Sequence, residues 1–87
     1  MRIWATLHKK NKIISDTTAS SENQDAALAL MECLEKVYKE FDVAEPVWVS
    51  KHARELSVFL RTKFLPSDFL EPVFFDWFEV EILSQSE

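Results

Sequence analysis

The sequence predicts a small α+β domain: a mostly antiparallel four-stranded sheet with one long amphipathic helix on one face and a short second helix. Three observations favour this fold class. Short segments alternate polar and apolar residues, which is typical of half-buried strands. One longer segment repeats apolar residues at helical spacing. The 87 residues suffice for a single domain, residues 1–87, with the predicted order β-β-α-β-α-β.

The N-terminal segment predicts a β-hairpin. In RIWATLH, Ile3, Ala5 and Leu7 share one side of a strand. After the polar KKNK, the segment IISDTTA is rich in β-branched residues and predicts the partner strand. Because the chain contains no glycine, Asn11 is the residue expected to take a left-handed conformation in the turn.

The long helix is predicted at about residues 22–41. Ser21 and Gln24 have the spacing of a capping box at its start. Behind them runs an apolar stripe at three- and four-residue spacing. The stripe consists of Ala27, Leu30, Met31, Leu34, Val37, Tyr38 and Phe41. We expect this stripe to cover the sheet.

The second half of the chain predicts two more strands and the short helix. PVWV, residues 46–49, predicts the third strand, and Ser50 is expected to cap the helix in KHARELSVFL. An irregular connection follows, with one helical turn at PSDF. FFDWFEVEIL, residues 74–83, predicts the last strand, which we expect beside the first. The tail SQSE is expected to fray.

Composition excludes several functional classes. The absence of glycine excludes a Walker loop, a dinucleotide-binding fingerprint and a nucleophile elbow, because each needs glycine to bring the backbone close to its ligand or into a strained turn. The net charge of −5 argues against bulk attraction to nucleic acid or to anionic membranes. No apolar run approaches the ~20 residues that a membrane-spanning helix needs.

The three tryptophans predict an unusual sheet face. Trp4, Trp48 and Trp77 each alternate with the aliphatic residues of a predicted strand. If those aliphatic residues face the long helix, the indoles share the opposite face, together with Phe75. Such a face is too apolar to be left in water. It would be covered by residues 51–72, by a second copy in a two-fold dimer, or by another molecule.

The segment 51–63 is basic and contains aromatic residues. Arg61 and Lys63 lie between phenylalanines in FLRTKF, a pattern that can hold single-stranded nucleic acid by stacking and phosphate contacts. Salt bridges to the acidic last strand are the favoured interpretation. The predicted interaction surface comprises Trp4, Trp48, Trp77, Phe75, Arg61 and Lys63.

The carboxylates of the last strand are candidates for chemistry. Glu79 and Glu81 point to one side of the strand, which is typical of a solvent-facing surface, although paired carboxylates also bind metals or transfer protons. Asp76 falls among the core-facing residues. We expect it either to precede the buried part of the strand or, if buried, to pair with Arg54 or Arg61.

The histidines and the single cysteine predict little chemistry. His8 and His52 are expected to be exposed, and neither has the spacing of a metal ligand. Cys33 flanks the helix stripe and is expected to be a small core residue. A single cysteine cannot form an internal disulfide, which favours a reducing, cytoplasmic setting. We therefore expect no catalytic residue, no metal and no cofactor.

These patterns favour a non-enzymatic protein-interaction or assembly module that forms a homodimer, or binds another protein, through its aromatic sheet face. The first alternative is a nucleic-acid-associated accessory protein that uses the basic segment 51–63. A small enzyme in which His52 pairs with Asp76 or Glu79 is a disfavoured alternative.

Overall fold

The computed structural model describes residues 1–84. The elements in chain order are β1 (Arg2–Lys9), β2 (Lys12–Ser20), α1 (Ala26–Phe41), α2 (Ser50–Phe59), β3 (Arg61–Phe64), a 3₁₀ turn (Pro66–Asp68) and β4 (Trp77–Ser84). The strands form one antiparallel sheet in the order β2-β1-β4-β3. The α+β fold class is confirmed, and so is the position of the last strand beside the first. Ser84 belongs to β4, and the rest of the predicted frayed tail lies outside the described residues.

The predicted hairpin between β1 and β2 is confirmed, and its turn has two residues. Lys9 pairs with Lys12, and between them Lys10 (φ 53°) and Asn11 (φ 64°) are both left-handed, which is typical of a type I′ turn. Asp76 holds this turn: its Oδ2 accepts a hydrogen bond from the Lys10 amide at 2.8 Å. Asp76 is exposed and precedes β4, so it needs no buried cation.

Four residues in the described chain have positive φ, and none is glycine. They are Lys10, Asn11, Asp42 and Leu60. The first two form the hairpin turn. Asp42 and Leu60 are the left-handed C-caps of α1 and α2, the position that glycine usually takes.

The third strand lies at residues 61–64, and the prediction of a strand at 46–49 is wrong. Residues 43–49 form no helix or strand. Pro46 has no amide to donate to a strand partner, and the next amide, that of Val47, donates to the carbonyl of Asp68 at 2.7 Å. The observed strand, RTKF, follows α2 directly and buries Thr62 and Phe64. Four residues are too few to show a clear alternation in the sequence.

Both helices are confirmed, with different caps. α1 begins four residues later than predicted, because the Asp25 carboxylate accepts from the Leu28 amide at 3.0 Å. Ser21 is instead buried, and its hydroxyl donates to Glu32 at 2.6 Å. α2 begins at Ser50, where the Val49 amide donates to His52 Nδ1 at 3.1 Å.

The core lies on one face of the sheet, under both helices. Cys33, Leu34 and Val37 of α1 and Leu56 of α2 pack there against the inward side chains of the strands. The inward side chains include Ile3, Ala5, Leu7, Phe64, Phe78 and Val80. Because α2 lies on the same side of the sheet as α1, residues 51–72 do not cover the opposite face, and that alternative is wrong.

Candidate functional site

The three tryptophans do not share a face. Trp4 and Trp77 lie on the side of the sheet turned away from the helices. Trp48 belongs to segment 43–49 and packs on the helix side, with its ring 5.0 Å from that of Phe64 and 6.0 Å from that of His52. The predicted common face is therefore wrong for Trp48. PVWV is not a strand, so its residues do not alternate between the two sides of the sheet.

Phe75 is also absent from the outer surface. It is 2% exposed and makes edge-to-face contacts with Phe69 and Phe74, each at 5.4 Å between ring centroids. Phe75 precedes β4, so the alternation of the strand does not extend to it. It supports the fold and offers no side chain to a partner.

The remaining side of the sheet is a mixed polar surface, which we call the outer face. Its side chains in the three strands β1, β4 and β3 include Trp4, Thr6, His8, Trp77, Glu79, Glu81, Arg61 and Lys63. The Trp4 indole donates to Asp16 at 2.9 Å. His8 stacks on Trp77 at 4.5 Å, and Lys63 Nζ lies 5.2 Å from the Trp77 ring centre. Both indoles thus have polar neighbours, but the Nε1 of Trp77 is buried and has no hydrogen-bond partner among residues 1–84.

The two histidines are less exposed than predicted. His8 is partly buried, and its Nε2 lies 2.8 Å from Thr6 Oγ1 and 3.9 Å from Glu79 Oε1. His52 is 2% exposed, so the prediction that it is exposed is wrong. Its Nδ1 accepts from Val49, which places the ring proton on Nε2, 3.5 Å from Asp68 Oδ2.

The acid–base pairs of the enzyme alternative do not form. Glu79 lies on the outer face, whereas His52 packs against Phe64 on the helix side, with ring centroids 4.2 Å apart. Asp76 holds the hairpin turn at Lys10. Neither carboxylate pairs with His52, whose nearest carboxylate partner among the described residues is Asp68.

The basic segment forms no salt bridges to the last strand. Within residues 1–84, no side chain of Lys51, Arg54, Arg61 or Lys63 lies within 4.0 Å of a carboxylate oxygen. Arg61 and Lys63 are placed opposite Glu81 and Glu79 in the strand register without an ion pair. The salt-bridge interpretation is therefore wrong, and these cations are exposed to solvent.

An apolar groove of about 560 Å³ separates α1 from α2. We define the α1–α2 groove by its large lining side chains, Leu30, Met31, Leu34, Tyr38, Trp48 and Leu56. The helix stripe that was predicted to cover the sheet is in fact divided. Val37 and Leu34 reach the core, whereas Met31 is 57% exposed along the groove. The spacing of the stripe indicated an apolar face but not how much of it the sheet would cover.

The few polar groups of the α1–α2 groove are distinctive. The charged side chains that line it within the described chain are both acids, Glu35 and Glu45. The Tyr38 hydroxyl is buried and has no hydrogen-bond partner among the described residues. Burial raises the pKa of Tyr38 to about 12. The negative charge of Glu45 also raises this pKa, whereas the indole of Trp48 lowers it. Trp48 lines the groove together with Tyr38, but no hydrogen bond joins its indole to the hydroxyl.

Tyr38 is the only tyrosine of the chain, so its ionisation can be measured directly. The pKa of the Tyr38 hydroxyl is 10 in the unfolded chain and about 12 in the folded chain. The folded state therefore binds the Tyr38 proton more tightly than the unfolded state does. The free energy of unfolding should be independent of this group below pH 10. It should fall by up to about 2 kcal/mol as the pH rises from 10 to 12. Tyrosinate absorbance and urea unfolding across this range would check it. The Tyr38→Phe variant should lose this part of the alkaline dependence, and an unchanged profile would contradict the burial of the hydroxyl.

The prediction that Cys33 is a core residue is confirmed. It is fully buried, and desolvation raises the pKa of its thiol, which disfavours the reactive thiolate. Within residues 1–84, no three His, Cys, Asp or Glu side chains come together in an arrangement that could hold a metal ion. No helix in the same range has the length and apolar character needed to cross a membrane.

Comparison of the chain with protein-family models, with curated proteins and with solved structures gives no match. The functional proposal therefore depends on the geometry of the α1–α2 groove and of the outer face.

Proposed function

We propose that this protein is a non-enzymatic interaction module that binds an apolar segment of another protein in the α1–α2 groove. The observation that carries the proposal is an open channel between two helices whose walls are almost entirely apolar. Exposed apolar surface of this kind is typical of binding sites, and a groove between helices suits an amphipathic helix that inserts its apolar side chains. The proposal keeps the interaction module predicted from the sequence and moves its binding surface to the other side of the sheet.

The size and chemistry of the groove support this occupant. Its volume of about 560 Å³ lies within the range of ~300–1,000 Å³ typical of ligand sites and can accept a few large side chains. Both methionines of the chain, Met1 and Met31, line it. Methionine is flexible and polarisable, so it adapts to apolar side chains of different shapes.

A second copy of the chain fits this groove poorly. A two-fold dimer through the groove would bring Glu35 and Glu45 towards the same acids of the other copy, in a chain that already carries a net charge of −5. The homodimer predicted through the aromatic sheet face stays a prediction. It is weakened because Trp48 and Phe75 lie elsewhere and Trp4 and Trp77 already have polar neighbours.

A nucleic-acid accessory role is the second proposal, because three cations line one depression beside Phe59, which is 66% exposed. The cations are Lys51, Arg61 and Lys63, and two acids, Glu55 and Glu79, line the same depression. Unpaired cations beside an exposed aromatic ring suit a single strand with its phosphates. The net charge of −5 opposes this role, since non-specific binding to nucleic acid depends on positive charge. We therefore favour the groove.

The two methionines provide a direct test of groove binding. The protein would be labelled with ¹³C at its methionine methyl groups and titrated with a short peptide that forms a helix with leucines on one face. We expect the Met31 methyl signal to shift, because Met31 lies in the groove. The Met31→Lys variant should bind the peptide at least about tenfold more weakly, which is a loss typical of an interface centre.

The matched control is Val58→Lys, because Val58 is 64% exposed on α2 and lies outside the groove. It should bind the peptide as the parent does. A scrambled peptide of the same composition should bind weakly, and a single-stranded oligonucleotide should leave the Met31 methyl unmoved. The proposal fails if Met31→Lys binds as tightly as the parent, or if the leucine peptide does not shift the Met31 signal.

A further inference from the structure

We propose that the segment bound in the α1–α2 groove carries a basic side chain, and that Glu45 and the Tyr38 hydroxyl select it. This inference rests on the proposed function and adds the chemistry of the partner. The occupant is thus an amphipathic segment with apolar anchors and one lysine or arginine, rather than a purely apolar segment or a second copy of this acidic chain.

The first support is the unpartnered Tyr38 hydroxyl. Buried polar atoms in folded proteins are nearly always hydrogen-bonded, because leaving one unpaired is destabilising. The Tyr38 hydroxyl is excluded from water and lacks a partner among residues 1–84. The aromatic ring of Tyr38 packs edge-to-face on Phe78, with 6.2 Å between the ring centroids. A phenylalanine would keep that contact, so the packing of the ring does not account for the hydroxyl.

The second support is the charge around that hydroxyl. Glu45 lines the same groove and is close enough to raise the pKa of Tyr38 by its negative charge. Glu35 lies one helical turn before Tyr38 on α1 and also lines the groove. Within the described chain, neither acid has a lysine, arginine or histidine partner within 4.0 Å. Among its lining side chains the groove therefore has acids and no base, and the Met1 ammonium is already engaged by the carbonyl of Ser21 at 2.7 Å.

A basic side chain satisfies both groups at once. Lysine carries three donors and arginine five, so one head group can donate to the Glu45 carboxylate and to the Tyr38 oxygen together. The methylene stem of such a side chain packs on apolar surface, and its charge is attracted to an indole such as that of Trp48. The apolar anchors of the segment then occupy the part of the groove beside Met31 and Leu56.

Access to the hydroxyl requires movement of a neighbouring group. Trp48 lies next to Tyr38 and belongs to segment 43–49, which forms no helix or strand. Because the hydroxyl is closed to solvent, the proposed contact requires the indole to rotate away from Tyr38 and to give up part of its packing on Phe64 and His52. In this arrangement the indole lies over the stem of the basic residue.

The test compares two peptides that differ at one position, which holds lysine in one and the uncharged norleucine in the other. For the parent protein, we expect the lysine peptide to bind about tenfold more tightly, the gain of a desolvated charge-assisted hydrogen bond. The advantage should shrink to about twofold in Glu45→Gln and in Tyr38→Phe. The matched control is Glu40→Gln, an exposed acid of α1 outside the groove, which should keep the full advantage.

The outcomes separate this inference from the proposed function. If both peptides shift the Met31 methyl and bind equally to the parent, the basic-residue inference is wrong and the groove proposal stands. If neither peptide binds, the proposed function itself fails. If light scattering shows a dimer whose dissociation on dilution shifts the Met31 methyl, the occupant is a second copy, and both the inference and the chosen partner are overturned.

Discussion

Replacement of Phe78 by alanine is expected to lower the free energy of unfolding by about 3–5 kcal/mol. Phe78 is fully buried in β4, and its ring meets four other aromatic rings at centroid distances between 5.8 and 6.4 Å. Those four rings are Tyr38, Phe41, Phe64 and Phe69, from three separate parts of the chain. Removing the central ring leaves a cavity that its neighbours cannot close together. For a domain of this size, the loss is a large share of the total stability of about 5–15 kcal/mol.

Urea unfolding of the parent and of Phe78→Ala would measure the effect. Phe59→Ala is the matched control, because it removes the same atoms from a side chain that is 66% exposed. We expect the control to lose less than about 1 kcal/mol. Equal losses in the two variants would contradict the position of Phe78 at the centre of the core.

The second large effect is expected for His52→Ala, which should lose about 2–4 kcal/mol of stability. The substitution removes a buried ring that lies 4.2 Å from Phe64 and 6.0 Å from Trp48, measured between ring centroids. It also removes the acceptor of the Val49 amide, which has no backbone partner within α2 because it lies at the start of that helix. Packing and capping are therefore lost in the same change.

A second variant separates those two contributions. The side-chain oxygen of asparagine in His52→Asn can replace Nδ1 as the acceptor but restores little of the ring packing, so we expect it to recover about 1 kcal/mol. His8→Ala serves as the comparison, because His8 is only partly buried on the outer face and should cost about 1 kcal/mol. A loss in His52→Ala no greater than in His8→Ala would show that the buried ring does not support α2.

Local sequence patterns predicted most of the fold. The alternation in β1, the β-branched composition of β2 and the helical spacing of α1 each reflect a face that must be buried, and each element formed. The left-handed conformation of Asn11 followed from turn chemistry alone. These features depend on neighbours within a few residues, so the sequence contains the information needed to predict them.

The identity of the third strand could not be predicted in the same way. PVWV has strand-like composition, but the Val47 amide donates to the 3₁₀ turn. RTKF forms a strand because it pairs with β4. Pairing across the sheet is a tertiary effect that short windows do not record. Because the side-chain direction of Trp48 was inferred from that strand, the error moved one member of the predicted binding surface to the wrong side.

The α1–α2 groove was hidden for a related reason. The apolar stripe of α1 identified Leu30, Met31 and Tyr38 correctly as one face of a helix. Whether such a face is fully covered depends on where the second helix lies, and α2 packs beside β3 at the far edge of the sheet. The gap between the helices is a property of the whole arrangement. The signal that could have indicated the groove is the width of the apolar stripe, which is greater than a contact with the sheet alone requires.

The four left-handed residues also bear on how the chain behaves when it is not folded. A polypeptide without glycine explores a narrower range of backbone shapes in its denatured ensemble, so less entropy is lost when it orders. Part of the stability of this protein therefore arises from the stiffness of the denatured chain rather than from any contact visible in the native fold. Introducing glycine at Asp42 would relieve the strain of the left-handed cap and loosen the denatured chain at the same time, and the two effects act in opposite directions.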